Sequence, residues 1–166
     1  MILPVQWQRQ PDERWCWATV ASIISVYYAT QFNEGQSLIP CQVATLTLPQ
    51  PTCCPPNPVT DPPPAACQIP FDLHNALAAI QHLNFSPPSL PGINLPLEEI
   101  GNQRPLCAQI KYNGGPFHYV IVNGCDEASQ QVTVVDPAGS PQAPPMPFAS
   151  FMANNSFTFS QWILTA

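Results

Sequence analysis

Twenty-three prolines, most of them massed at 49–70, 87–96 and 137–147, decide where regular structure can form in this chain. Proline lacks a backbone N–H and has a locked φ, so it ends helices and interrupts sheet ladders. The three blocks read as ordered irregular loops or stiff extended ones, not as linkers between independent domains. Adjacent Cys53 and Cys54 inside the first block argue for a tied-down loop over disorder. Helices and strands are left with the windows between the blocks.

Those windows change character along the chain. Trp17, Val20, Ile24 and Tyr27 recur at helical steps and predict a helix over 15–29. A second helix is predicted at 72–83, with Asp72 as cap and Leu73, Leu77 and Ile80 as its stripe. A short third is expected at 96–102, where Glu98 and Glu99 read as a solvated face. From Leu106 the windows read as strands: Leu106 to Ile110, Phe117 to Val122, Val132 to Val135 and Phe157 to Leu164. Helices followed by strands make an α+β pattern. One domain over 1–166 is expected, with a helical half of about 1–103 packed on an antiparallel sheet of about 104–166. A cleft would open at their junction. No internal repeat is visible.

The chemistry-bearing residues fall on both sides of that junction. Gln10 stands six residues before Cys16, which opens the first helix. A helix N-terminus favours thiolate, the nucleophilic form. A glutamine amide one loop upstream can donate to the oxygen that turns negative under attack. Gln6 and Gln8 are rivals; the spacing selects Gln10. Asp12 and Glu13 would oppose thiolate formation, with Arg14 as a partial offset. His118 follows the Gly114-Gly115 turn at a strand start, and Asp136 ends the next strand before Pro137. Pairing those strands through the short link 125–130 can set the carboxylate on one imidazole nitrogen and leave the other facing sulfur. Asn123 is an alternative orienter, better read as a strand-end residue. His74 and His82 read as surface or satisfied core residues. Trp15, Trp17, Tyr27 and Tyr28 read as packing, with Trp15 and Trp17 as candidates to wall a substrate groove. Trp162 reads as core.

Composition removes several classes. Only 8% of residues are charged and the net charge is −6, so there is no electrostatic footprint for nucleic acid or an anionic membrane. No Cys-x-x-Cys occurs, and neither a metal site nor a cofactor is expected. Seven cysteines fit one reactive thiol plus up to three disulfides, hence an oxidising compartment. Cys41, Cys53, Cys54 and Cys67 are expected to pair among themselves in the proline-rich region, and Cys107 with Cys125. The connectivity itself stays open. The apolar run Ala18 to Ala29 is too short to cross a bilayer and lacks signal-peptide flanks. A secreted protein would then be a mature form with an added Met1, or one exported by a non-classical route.

These features together resemble the papain-like cysteine proteases, most closely the compact bacterial branch typified by avirulence-effector proteases. The resemblance rests on Gln10, Trp15-Cys-Trp-Ala-Thr-Val-Ala-Ser22 and Tyr27-Tyr28. It continues through Cys41, Cys53-Cys54, Cys67 before a helix, and Arg104-Pro-Leu before a strand. His118-Tyr-Val-Ile-Val-Asn-Gly and Val-Val-Asp136-Pro complete it. Pro116-Phe117 precedes His118 where the family more often brings glycine, and the region after the third helix is short. The resemblance implies a papain-like fold and an endopeptidase with Cys16 as nucleophile, His118 as base and acid, Asp136 as orienter and Gln10 as oxyanion donor. It implies a polypeptide substrate, with an inhibitor or immunity protein as a further candidate partner. A monomer that is secreted, or delivered to another cell as effector or toxin, is expected. Transglutaminase-like acyl transfer or deamidation, and a disulfide-stapled binding module without catalysis, are the competing readings.

Overall fold

A computed structural model describes residues 1–50, 52–85, 92–141 and 143–166. The loop expectation for residues 51, 87–91 and 142 lies outside the described residues. Among the described residues, five α-helices and five strands follow in the order α1 Cys16–Phe32, α2 Pro40–Thr47, α3 Leu73–Ala79, α4 Asn94–Gly101, β1 Leu106–Tyr112, β2 Phe117–Asp126, β3 Gln131–Val135, β4 Met146–Pro147, α5 Phe148–Met152 and β5 Phe157–Ile163, with a 3-10 turn at Ala65–Cys67. The fold is α+β. All strand pairs are antiparallel, in the spatial order β4-β3-β2-β1-β5.

Helix α1 is the hub. Every residue from Trp15 to Ser25 is buried, as expected of a helix that is apolar all round and enclosed by its neighbours. The stripe read from the sequence was therefore only part of a helix covered on every side until its last turn, where Thr30, Gln31 and Phe32 are exposed. It packs on α2, α3 and β2. The helix ends where Asn33 takes φ 57° and its N–H caps the Tyr28 carbonyl, a left-handed stop that asparagine tolerates.

Helix α2 has no counterpart among the sequence expectations. Pro40 sits in its first turn, where the missing N–H costs nothing and the fixed φ helps. Gln42 closes the start by accepting from the Ile39 N–H at 2.9 Å. Helix α3 starts as expected, with Asp72 Oδ1 accepting from the His74 N–H, but stops at Ala79. In α4, Glu99 is not solvated. It is buried and holds Arg104 through two bonds of 2.7 and 2.9 Å.

The proline loop is stapled twice, Cys41 to Cys54 and Cys53 to Cys67. Each bridge closes a short loop, which by chain entropy is worth about 3 kcal/mol. Cys107 and Cys125 are free, contrary to the expected pairing. Cys107 pairs with Ile121 in the β1–β2 register. Cys125 lies four residues further along β2, roughly 13 Å away at strand rise, beyond disulfide reach. Past Val122 the place beside β2 passes from β1 to the N-terminal segment. Leu3 N–H bonds Asn123 O at 2.7 Å, and Ile2 bridges Gly124. A Cβ on Gly124 would stand 2.9 Å from both Ile2 Cγ1 and Thr133 Oγ1, so any larger residue there would have to displace those side chains.

Candidate active site

Cys16 is the first residue of α1, and two indoles fix where that helix begins. Trp15 Nε1 donates to Cys67 O at 2.7 Å and Trp17 Nε1 to Ile69 O at 3.1 Å. Both rings are fully buried; at roughly 200 Å² of apolar surface, each contributes about 5 kcal/mol. Trp17 nevertheless lines the groove beside Cys16, while Trp15 lies on the other side of the helix start. Arg14 folds onto Asp12, Nε to Oδ1 at 3.0 Å and Nη2 to Oδ2 at 3.2 Å, and also reaches Gln68. Burial opposes the Asp12 charge, but Arg14 outweighs it and lowers the pKa. The Asp12 charge is thus neutralised locally.

The sheet brings the other two groups. His118 pairs with Ile110 across the β1–β2 ladder. Val135 pairs with Ile121, so Asp136, one residue on, shares the face of Val120 and hence of His118. His118 Nε2 and Asp136 Oδ1 are 2.7 Å apart. The Ala138 N–H donates to Asp136 Oδ1, and Trp7 Nε1 donates to Asp136 O, both at 2.8 Å. With Nε2 on Asp136, Nδ1 is the nitrogen left to Cys16. Burial disfavours the imidazolium, yet the neighbouring Asp136 and Cys16 prevail and push the His118 pKa up to about 9. Burial likewise disfavours the Asp136 charge, but His118 holds its carboxyl below the usual range.

Tyr112, which the sequence reading passed over, stacks on His118 with centroids 5.7 Å apart and planes at 27°. It ends β1 on the face of Ile110, so it is the diagonal neighbour of His118. The glycine turn makes that possible: Gly114 has φ 71°, and a Cβ on Gly115 would press on Tyr112 Cβ at 3.0 Å.

Gln10 is held on the same loop as Cys16. Its N–H donates to Pro137 O at 3.0 Å and its Nε2 to Asp12 O at 3.1 Å. The rival Gln8 is committed to α1, accepting from Ser22 Oγ at 2.9 Å, and Gln6 is exposed. Asn123 lies within β2 and donates to Leu3 O, so it is occupied away from His118. His74 is bonded to Asp72, while His82 is buried, stacked on Tyr28 and bonded to Ala166 O.

Cys16 opens on a groove of about 780 Å³ between the two halves. Pro70 and Phe71 stand on the helical side, Pro116, Phe117 and Tyr119 on the sheet side. Its walls are apolar enough to take side chains and polar enough, through Gln109, to take backbone. Among the described residues no cluster of three His, Cys, Asp or Glu could hold a metal, and no helix is long and apolar enough to cross a membrane.

The family described as papain-like cysteine protease AvrRpt2 matches residues 2–156, a span that includes Gln10, Cys16, His118 and Asp136. No curated protein and no solved structure gives a significant match. With nearly its whole length matched, the chain belongs to the papain-like cysteine protease AvrRpt2 family.

Proposed function

We propose that this protein is a cysteine endopeptidase working through Cys16, His118 and Asp136. The observation that supports this most is that His118 Nε2 is held 2.7 Å from Asp136 Oδ1, with Cys16 and Asp136 both raising the pKa of the ring. In this reading the proton stays on the ring, whose pKa is near 9, while the sulfur attacks the carbonyl as thiolate. The thiolate adds to the peptide carbonyl carbon. The Gln10 amide and the Cys16 N–H receive the oxyanion. His118 gives its proton to the departing amine, and the acyl group stays on sulfur as a thioester. His118 then takes a proton from water, whose oxygen displaces the sulfur and releases the acid.

The test is alkylation of the folded protein by iodoacetamide at pH 5–6 with intact-mass readout. Fast single labelling at Cys16, lost in His118→Ala, is the expected result. Cys107 and Cys125 supply an internal control, since burial pushes both thiols up and away from the reactive form. Slow labelling of Cys16, or labelling indifferent to His118→Ala, would sink the assignment.

A further inference from the structure

Asp136 stands one residue past the end of β3 at Val135, and its side chain is 29% exposed. A carboxylate that open is held by its backbone more than by packing around it. The loop first shapes itself. The Ala138 N–H reaches Asp136 Oδ1 at 2.8 Å, and the Gly139 N–H reaches Asp136 O at 3.1 Å. A Cβ on Gly139 would press on Asp136 Cβ at 3.2 Å and on Oδ2 at 3.4 Å, so the turn is folded tightly about the carboxylate. These contacts lie within residues 136–139 and do not place the loop relative to Cys16.

The N-terminal segment does. The Leu3 N–H donates to Asn123 O at 2.7 Å and Asn123 Nδ2 to Leu3 O at 3.0 Å, which lays the segment along β2. Gln8 Oε1 accepts from Ser22 Oγ at 2.9 Å, which ties it to α1. Between those two anchors Trp7 Nε1 donates to Asp136 O at 2.8 Å. Three residues on, the Gln10 N–H donates to Pro137 O at 3.0 Å. An indole nitrogen can only donate, so a carbonyl is the partner it needs. Trp7 is half-buried and is not among the residues that wall the Cys16 groove.

We propose that Trp7 is a positioning residue of the active site: together with the Gln10 N–H it clamps the Asp136–Pro137 backbone onto the segment that leads into α1, and so keeps the carboxylate on His118 Nε2. This rests on the endopeptidase reading. Two consecutive carbonyls are taken by two donors of one segment, so the loop can neither slide nor tilt against it. The same segment runs on to Cys16. The clamp is therefore where the nucleophile of the helical half and the orienter of the sheet half are set relative to each other. Without the indole N–H, Asp136 O keeps only the longer bond from Gly139, and the carboxylate is freer to turn to solvent. The imidazolium then loses part of its partner, and the Cys16–His118 pair reacts more slowly at low pH.

The test is Trp7→Phe, which keeps a ring and removes the N–H. Alkylation of Cys16 by iodoacetamide at pH 5–6 should slow about fivefold to tenfold, and the NMR titration of His118 should move to lower pH. In an Asp136→Asn background the same substitution should have little effect on either, because the two act through one contact. In the parent, which needs no variant to fold, the Trp7 indole proton should exchange slowly with D2O. A Trp7→Phe protein that loses Tm but keeps the parent's alkylation rate and His118 titration overturns the proposal. So does an effect of equal size in the Asp136→Asn background, or an indole proton that exchanges as fast as that of free tryptophan. Slow alkylation of the parent would instead defeat the Cys16–His118 reading, with the His118 titration of Trp7→Phe still deciding the clamp.

Discussion

His118 Nε2 and Asp136 Oδ1 lie 2.7 Å apart, and that contact dictates which imidazole nitrogen is left for Cys16. Asp136→Asn keeps the size of the side chain but removes the charge that holds the imidazolium. Turnover of a peptide substrate should fall by about 10²–10⁴, with little change in KM. An unchanged kcat would show that Asp136 only ends its strand.

The same pair fixes a pH dependence of stability. Folding raises the His118 pKa from 6.5 to about 9. Its contribution is fully present below about pH 6.5 and is lost as pH rises through about 9. Asp136 is shifted down from 3.8, so its contribution is present above that value and lost as pH falls through the lower folded one. The difference in Tm between the protein and Asp136→Asn should be widest between about pH 4 and 6.5 and should shrink above about pH 9. A difference that stays level from neutral to alkaline pH would mean the pair is not ionised.

Tyr112 lies flat on the His118 ring and touches neither substrate nor oxyanion in the proposed mechanism, so its role is positioning. Tyr112→Leu removes the flat support; kcat should drop about tenfold, and the His118 titration followed by NMR should move. Tyr112→Phe keeps the stack and should restore both. Equal loss in Phe and Leu variants would assign the effect to the hydroxyl instead.

What could be read from residue order was what depends on local chemistry. The helix opening at Cys16 and the strand pairing that sets His118 beside Asp136 both follow from short patterns. What could not be read depends on neighbours far along the chain. Helix α2 was hidden because Pro40 reads as a breaker until its place in the first turn is known. Trp15 and Trp17 could be read as packing, but not that their N–H groups are spent on the Cys67 and Ile69 carbonyls about fifty residues away. Tyr112 became visible only through the diagonal geometry of a hairpin. Strand β4 and helix α5, two and five residues long, are too short to carry a period.

The cysteine arrangement can be counted directly. Unfolded but unreduced protein should show three titratable thiols, Cys16, Cys107 and Cys125, and reduced protein all seven. Finding one thiol would restore the Cys107–Cys125 bridge. Reduction should also lower stability by up to about 3 kcal/mol per bridge, read as a fall in the denaturation midpoint. Cys16 takes no part in either bridge, so its alkylation should persist in reduced protein for as long as it stays folded.

Glu99 and Arg104 make the last prediction. Glu99 is 5% exposed, and its carboxylate is met by Arg104 Nε and Nη2. The Arg104 side chain is 32% exposed, so solvent screens part of the attraction. Arg104→Leu leaves a buried carboxylate with no counter-charge and should cost about 3 kcal/mol, at the low end for a broken buried pair. The double change Glu99→Leu with Arg104→Leu removes both charges together and should recover most of that loss, because the penalty lies in the uncompensated ion. Urea midpoints of the two variants decide it. If the double variant is no more stable than Arg104→Leu alone, the pair acts through packing of α4 against the sheet and not through its charge.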